Sequence, residues 1–238
     1  LRGFVGQGMP GRKPQHLPSL ITTKDTTSAG SDSYVATGLC YALIYATGPG
    51  ASGAGNATTA SGGGSGAAGY KRVRLSPGQT LAWTLGSPGA GVTGADGNDA
   101  GDATIRLPTG LVLVAGGGKK GIGGASPKAG GLGGVCSGPW DLARNGGKGG
   151  DGITGSAATA GESPAGGGAG GAGAGNSGGG AGAAGFLDLL PILTAGAGSA
   201  GNSGSAGGAP GAGSGGITTT SAAGGQGRVL VFIVKVTG

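Results

Sequence analysis

The residues able to do chemistry are few, and their spacing supports little of it. The chain holds one His and nine acids, and Glu162 is the only Glu. A nucleophile–base pair would have to use His16, and no second base supports it. Asp96, Asn98, Asp99 and Asp102 bring oxygen ligands close together, but their spacing misses the EF-hand pattern, and a solvated turn fits them better. A glycosidase-like pairing of Asp96 with Asp99 would need a tertiary coincidence. Gly89-Ala90-Gly91-Val92-Thr93-Gly94 fits the dinucleotide fingerprint, yet loop-like Ala95-Asp96-Gly97-Asn98-Asp99 follows where a helix is required. Gly118-Lys119 is followed by Lys120 where a phosphate-binding loop needs Ser or Thr. Gly146 to Ile153 matches one copy of a calcium nonapeptide repeat, a motif that binds in tandem arrays. The expectation is a non-enzyme with no cofactor and no metal.

Charge and cysteine usage narrow the partners. Net charge is +6, carried by small clusters: Lys71, Arg72 and Arg74; Lys119 and Lys120; Arg144 and Lys148. A solvated surface accounts for each cluster, and weak attraction to an anionic surface is the functional alternative. No basic helix or repeated aromatic platform accompanies them, so nucleic acid is not an expected partner. Cys40 lies in an apolar run and reads as a small buried hydrophobe, whereas Cys136 lies in a loop-like stretch. Pairing between them is not expected. No apolar run approaches the ~20 residues of a spanning helix, so no transmembrane segment is expected. No signal peptide is visible, and the sequon Asn56-Ala57-Thr58 reads as chance.

The elements that must position any site are dominated by glycine. The chain of 238 residues contains 67 Gly, against an average usage of roughly 7%. Ala165 to Gly173 and Gly146 to Gly152 are typical tracts. Each Gly costs roughly 1 kcal/mol against Ala in a helix, and a packed strand would lack side chains to bury. Twelve Pro without a Gly-X-Y period exclude collagen. Disordered linkers and stacked glycine helices of the polyproline-II type remain. The second is expected, because loops of this length without their own structure are rare. Alanines within the tracts imply peripheral helices whose methyl groups point outward.

Strand patterns bracket these tracts. Tyr34–Thr47, Tyr70–Leu85 (broken by Ser76-Pro77-Gly78-Gln79) and Ala103–Val114 read as a β module, and Arg228–Val236 as its closing strand. The fold class is therefore mostly irregular and all-β. Residues 1–33 are expected to be an extended arm, 34–115 the β module with a short glycine tract, 116–227 the glycine stack with tip loops, and 228–238 the closing strand.

The order of these signals resembles a family. Tyr70 to Gly91 reads strand, Ser-Pro-Gly-Gln, strand, glycine-rich turn. Gly101-Asp102-Ala103-Thr104-Ile105 and Val114-Ala115-Gly116-Gly117-Gly118 follow, and Gly224-Gly225-Gln226-Gly227 leads into the final strand. From about Leu39 to Gly238 the chain is similar to the glycine-rich domain of bacteriophage tail-fibre tips and related adhesins. That resemblance implies a sandwich of polyglycine-II helices on a β module, with distal loops that bind the host. It implies location in the virion, on the tail fibre and outside the cell, after assembly in the host cytoplasm. The partners would be a bacterial surface receptor, either an outer-membrane protein or a surface glycan, and other fibre subunits held through the N-terminal arm. A homotrimer, or a monomer capping a trimeric fibre, follows by the same analogy.

Bulky residues between glycine tracts are the candidate contacts. Pro139, Trp140, Asp141 and Arg144 form one cluster, Phe186 and Leu189 belong to a second, and Lys128 lies in a short turn. Caps that shield the array ends, or a subunit contact, are the structural alternative to a binding tip, and the apolar Leu189-Leu190-Pro191-Ile192-Leu193 favours a subunit contact. Trp140 and Arg144 are assigned to the receptor, and Phe186 to Leu193 to either role. A structural cap without host binding is the alternative function. An ice-binding face is a third, resting on the single run Thr218-Thr219-Thr220.

Overall fold

The computed structural model describes residues 19–55, 59–124, 127–152, 206–208, 210–216 and 220–236. Strands form where β-branched and aromatic residues alternate with small or polar ones. They are β1 (Leu20–Thr26), β2 (Gly30–Val35), β3 (Cys40–Thr47), β4 (Ala68–Leu75), β5 (Thr80–Leu85), β6 (Ala103–Arg106), β7 (Val112–Ala115), β8 (Cys136–Ser137), β9 (Leu142–Arg144) and β10 (Arg228–Lys235). They build two antiparallel five-stranded sheets, ordered β1-β10-β3-β4-β9 and β2-β5-β6-β7-β8. Among the described residues there is no helix, and the fold is all-β as the sequence predicts.

Strand periodicity places Cys40, Ala42, Ile44 and Ala46 of β3 on one face and Tyr41, Leu43 and Tyr45 on the other. The first set shares one buried cluster with Val229, Val231 and Ile233 of β10, Leu81, Trp83 and Leu85 of β5, Ile105 of β6 and Leu113 of β7. The core therefore lies between the inner faces of the two sheets. Each fully buried Leu, Ile or Val contributes about 1.5–3 kcal/mol.

The closing strand returns to the module. β10 lies between β1 and β3, in register from Arg228 opposite Thr47 to Lys235 opposite Cys40. Elsewhere the structure differs from the sequence reading. Tyr34–Thr47 is two strands in different sheets, and β4 and β5 also part to different sheets rather than forming a hairpin. Both crossings are backbone-tied: Ala36 donates to the Gln79 carbonyl at 2.9 Å and accepts from Gly78 at 2.7 Å. Gly78 sits there at φ 81°, which a side chain would resist. Part of the expected arm is also a strand. Alternation within Leu20–Thr26 lets β1 pair with β10, pinned by the ion pair from Asp25 to Arg228 at 2.7 Å, while Lys24 ties β1 to β2 through Asp32 at 3.4 Å.

The strands give the molecule two ends. Thr47, Leu85 and Ala115 run into glycine tracts at one end, and Ala68, Ala103 and Arg228 return from them there. Ser19 and Val236 lie at the other end, where the Lys235 N–H donates to the Ser19 carbonyl at 2.9 Å.

Candidate functional site

The tracts leave the sheets as extended segments and satisfy their backbones in three directions at once. Within 59–67, Ser61, Gly64 and Ala67 donate to Ile122, Lys119 and Gly116 of one neighbour. Gly62 and Ser65 donate to Gly150 and Gly147 of a second, and Gly63 and Gly66 to Ser214 and Gly211 of a third. Carbonyls of Ser61, Gly64 and Ala67 accept from Ala54, Ala51 and Gly48, while those of Gly62 and Ser65 accept from Gly131 and Gly134. Each neighbour is thus met at every third residue, where a strand would meet it at every second. Backbones approach so closely that a Cβ at Gly64 would collide with the Leu132 carbonyl, and one at Gly66 with the Gly48 carbonyl.

Side chains inside this array are small and occupied. The expectation of outward methyl groups is wrong for Ala51, Ala54, Ala60 and Ala67, which are all fully buried. Ala54 and Ala60 form a small buried cluster of their own. Serines stand in for carbonyls: Ser65 Oγ accepts from Gly147 N–H, Ser61 Oγ from Ile122 N–H and Ser52 Oγ from Asn98 N–H, each at 2.7 Å.

At the flank, carboxylates take the same part. Asp102, Asp99 and Asp96 are spaced three apart and accept from Gly117 at 2.8 Å, Lys120 at 2.8 Å and Gly123 at 2.9 Å, which are again three apart on the antiparallel tract. Asp99 and Asp96 also pair with Lys119 at 3.7 Å and Lys120 at 3.5 Å. These acids are backbone acceptors rather than a free turn. Among the described residues no His, Cys, Asp or Glu cluster could hold a metal. Asp151 accepts from Gly130 N–H at 2.7 Å and Lys148 Nζ at 2.6 Å. Burial opposes its ionisation, but those two donors outweigh it and hold the carboxyl below its ordinary range.

Four bridges between tracts lie at the end remote from Ser19 and Val236, whereas the turns at 138–141 and 210–211 lie back at the module. Isolated bridges join Gly55 to Ala95, Ala60 to Gly123, Thr93 to Thr220 and Lys128 to Gly152. Thr93 and Thr220 also share a hydroxyl hydrogen bond of 2.9 Å. Thr93, Asp96, Lys120, Ile122, Pro127 and Thr220 are exposed at or near this end, and Lys128 is half-exposed.

The sequence-selected candidates do not come together. Pro139, Trp140, Asp141 and Arg144 sit at the sheets, where β8 pairs with β7 and β9 with β4. Trp140 lies across Gly69 and packs on the core, and its Nε1–H donates to the Val114 carbonyl at 3.1 Å. Against the effect of burial, Lys71 Nζ at 2.6 Å and the Arg72 N–H at 2.8 Å hold the Asp141 carboxyl below its ordinary range. Pro139 and Arg144 are exposed. Lys128 lies at the far end of its tract, seven residues before Val135 and on the order of 20 Å from it in extended chain. Phe186 and Leu189 lie outside the described residues. Cys40 and Cys136 are both free thiols, raised in pKa by burial.

Sequence reasoning missed the outer face of the first sheet. Tyr45 lies 4.8 Å from Tyr70 and meets Phe232 edge-on at 6.2 Å, and the Arg72 guanidinium stacks 4.1 Å above Tyr41. The signal was there in the second phase of the alternation in β3, β4 and β10, where Tyr41, Leu43 and Tyr45 stand beside Arg74, Arg72 and Tyr70 and beside Val234, Phe232 and Leu230. The outer face of the second sheet instead carries no aromatic cluster: Ser31, Ser33, Ala82, Thr84 and Thr104 stand there with Arg106 and Val112. No protein-family model matches this chain, and no curated protein matches it in sequence.

Proposed function

We propose that this chain is a bacteriophage tail-fibre tip protein, an adhesin that attaches the virion to a bacterial surface receptor, with its tracts stacked as polyglycine-II helices. The observation that carries the reading is the polarity of the molecule. The described chain leaves from one end of a packed β module at Ser19 and Val236, and the bridges Gly55–Ala95, Ala60–Gly123, Thr93–Thr220 and Lys128–Gly152 gather at the other, while the turns at 138–141 and 210–211 lie back at the module. A rigid scaffold that carries loops at one end is the usual arrangement for recognition. Hydrogen bonding at every third residue, with several neighbours around one tract, is what a three-residue-per-turn helix without internal hydrogen bonds requires.

On this reading the receptor meets the far end, at Thr93, Thr220 and Lys128. Of the residues selected from sequence, Lys128 alone among those described stands there. Trp140 serves the core, and Pro139, Asp141 and Arg144 serve the module. The partner is an outer-membrane protein or surface glycan, and residues 1–18 join the protein to other fibre subunits as a homotrimer or as a monomeric cap. The test is saturable binding of the labelled protein to a panel of bacterial envelopes. Thr93→Arg with Lys128→Glu should reduce binding at least about tenfold, while Thr84→Lys on the second sheet should leave it unchanged. Binding that is insensitive to the far end and lost by the sheet substitution would overturn the assignment.

A further inference from the structure

We propose that the outer face of the first sheet is a docking site for an acidic polypeptide segment of another protein. The face is a shallow groove of about 480 Å³ lined by Tyr41, Leu43, Tyr70, Arg72, Val234 and Lys235. It lies at the end where the chain leaves at Ser19 and Val236, away from the four bridges between tracts, so it is independent of what the far end binds. Its aromatic and arginine composition is that of an interface centre rather than of ordinary surface.

Charge identifies the occupant. Arg72 and Lys235 line the groove, and Arg74 stands beside Tyr41 in the β3–β4 register. All three are exposed, and none forms an ion pair with a described carboxylate. Asp141, at the border, is held by Lys71 and the Arg72 N–H, and the Arg72 charge also favours its ionised form without forming an ion pair with it. The described acids are otherwise committed: Asp25, Asp32, Asp96, Asp99 and Asp151 are in ion pairs, and Asp102 accepts from Gly117. A two-fold contact between copies would set Arg72 and Arg74 against their own equivalents, which like-charge repulsion opposes. Residues 1–18 contain Arg2, Arg12 and Lys13 and no acid, so they are excluded on the same ground. Neither the described residues nor residues 1–18 offer a free acid, so the occupant proposed is an anionic segment of another protein.

Ring geometry then favours a polypeptide over an acidic glycan. A sugar ring stacks on an open aromatic face, but the Tyr41 face is covered by Arg72, and Tyr45 is engaged by both Tyr70 and Phe232. What the groove offers instead is aliphatic floor from Leu43 and Val234 with cations at its rim. Apolar side chains alternating with carboxylates would satisfy both.

The test uses the full chain and a random copolymer of glutamate and tyrosine, titrated by calorimetry at low salt. Saturable binding is expected, stronger than that of polyglutamate or polygalacturonate. Arg72→Glu with Arg74→Glu should weaken it at least about tenfold without altering the melting temperature. If that pair fails to fold, Lys235→Glu at the strand end should weaken binding by several-fold. Undiminished binding to a folded charge-reversed variant would overturn the proposal. So would no binding to the wild type, or polygalacturonate binding at least as tightly as the copolymer. Self-association of the wild type that charge reversal abolishes would also overturn it, since the occupant would then be a second copy.

Discussion

The β module and the glycine array solve the same problem with opposite means. In the module each backbone pairs with two neighbours in a plane, and side chains such as Ile44, Leu81 and Val231 fill the space between planes. In the array a tract such as 59–67 bonds to several surrounding tracts, and its buried side chains are small, with Thr59 the largest within that tract. The module is held by apolar burial and tolerates changes of shape that preserve volume. The array is held by backbone hydrogen bonds and close contact, and tolerates almost no added volume. Its edges also differ. A sheet edge is protected by short strands and charge, whereas the flank of the array is finished by Asp96, Asp99 and Asp102 at the tract's own period.

The largest expected effect is at the centre of the array. Gly64→Val should abolish soluble folding, a loss of more than about 4 kcal/mol, because backbone oxygens occupy the space it needs. Gly78→Ala, in open space at φ 81°, should cost only about 1–2 kcal/mol. Thermal unfolding would separate the two, and equal melting temperatures would erase the distinction between regions. The tract Ala165 to Gly173, which includes Gly171, lies outside the described residues.

In the module, Ile44→Ala should cost about 2–5 kcal/mol by denaturant titration, with Ile44→Val well below that. Trp140→Ala belongs with it. Losing a half-buried ring on the core and its bond to Val114 should lower stability by about 2–4 kcal/mol, so an unchanged melting temperature would return Trp140 to the receptor candidates. Ser65→Ala changes one atom, yet it removes the acceptor for Gly147 N–H within a fully buried site and should cost about 1–3 kcal/mol. An exposed serine of the module such as Ser33 should show nearly none.

The smallest effect is electrostatic. The folded pKa of Asp151 is depressed, so its contribution is present above the unfolded carboxylate value of about 3.9 and is lost as pH falls through the folded value. The Lys148 pair is about a third exposed, and screening limits the effect to a few tenths of a kcal/mol. Asp151→Asn should flatten the acid limb of stability below about pH 4. A limb of unchanged slope would assign the acid sensitivity to other carboxylates.

The amino-acid sequence by itself determined what each stretch can tolerate next to it. Alternation in Cys40–Thr47 and Arg228–Lys235 specifies strands with an apolar face, and the glycine tracts exclude both helix and filled core. The return of β10 to the module was legible for the same reason, since a strand so apolar has to be buried. Which neighbour each stretch meets was decided only in three dimensions. Tyr34–Thr47 divides between two sheets because Ala36 ties to Gly78 and Gln79, a contact between residues far apart in sequence. Trp140 turns inward because Gly69 leaves a bare floor beneath it. The period of Asp96, Asp99 and Asp102 gains its meaning only when an antiparallel tract presents N–H groups at the same spacing. Local sequence encodes the permitted contact, and chain closure through β10 selects the partner.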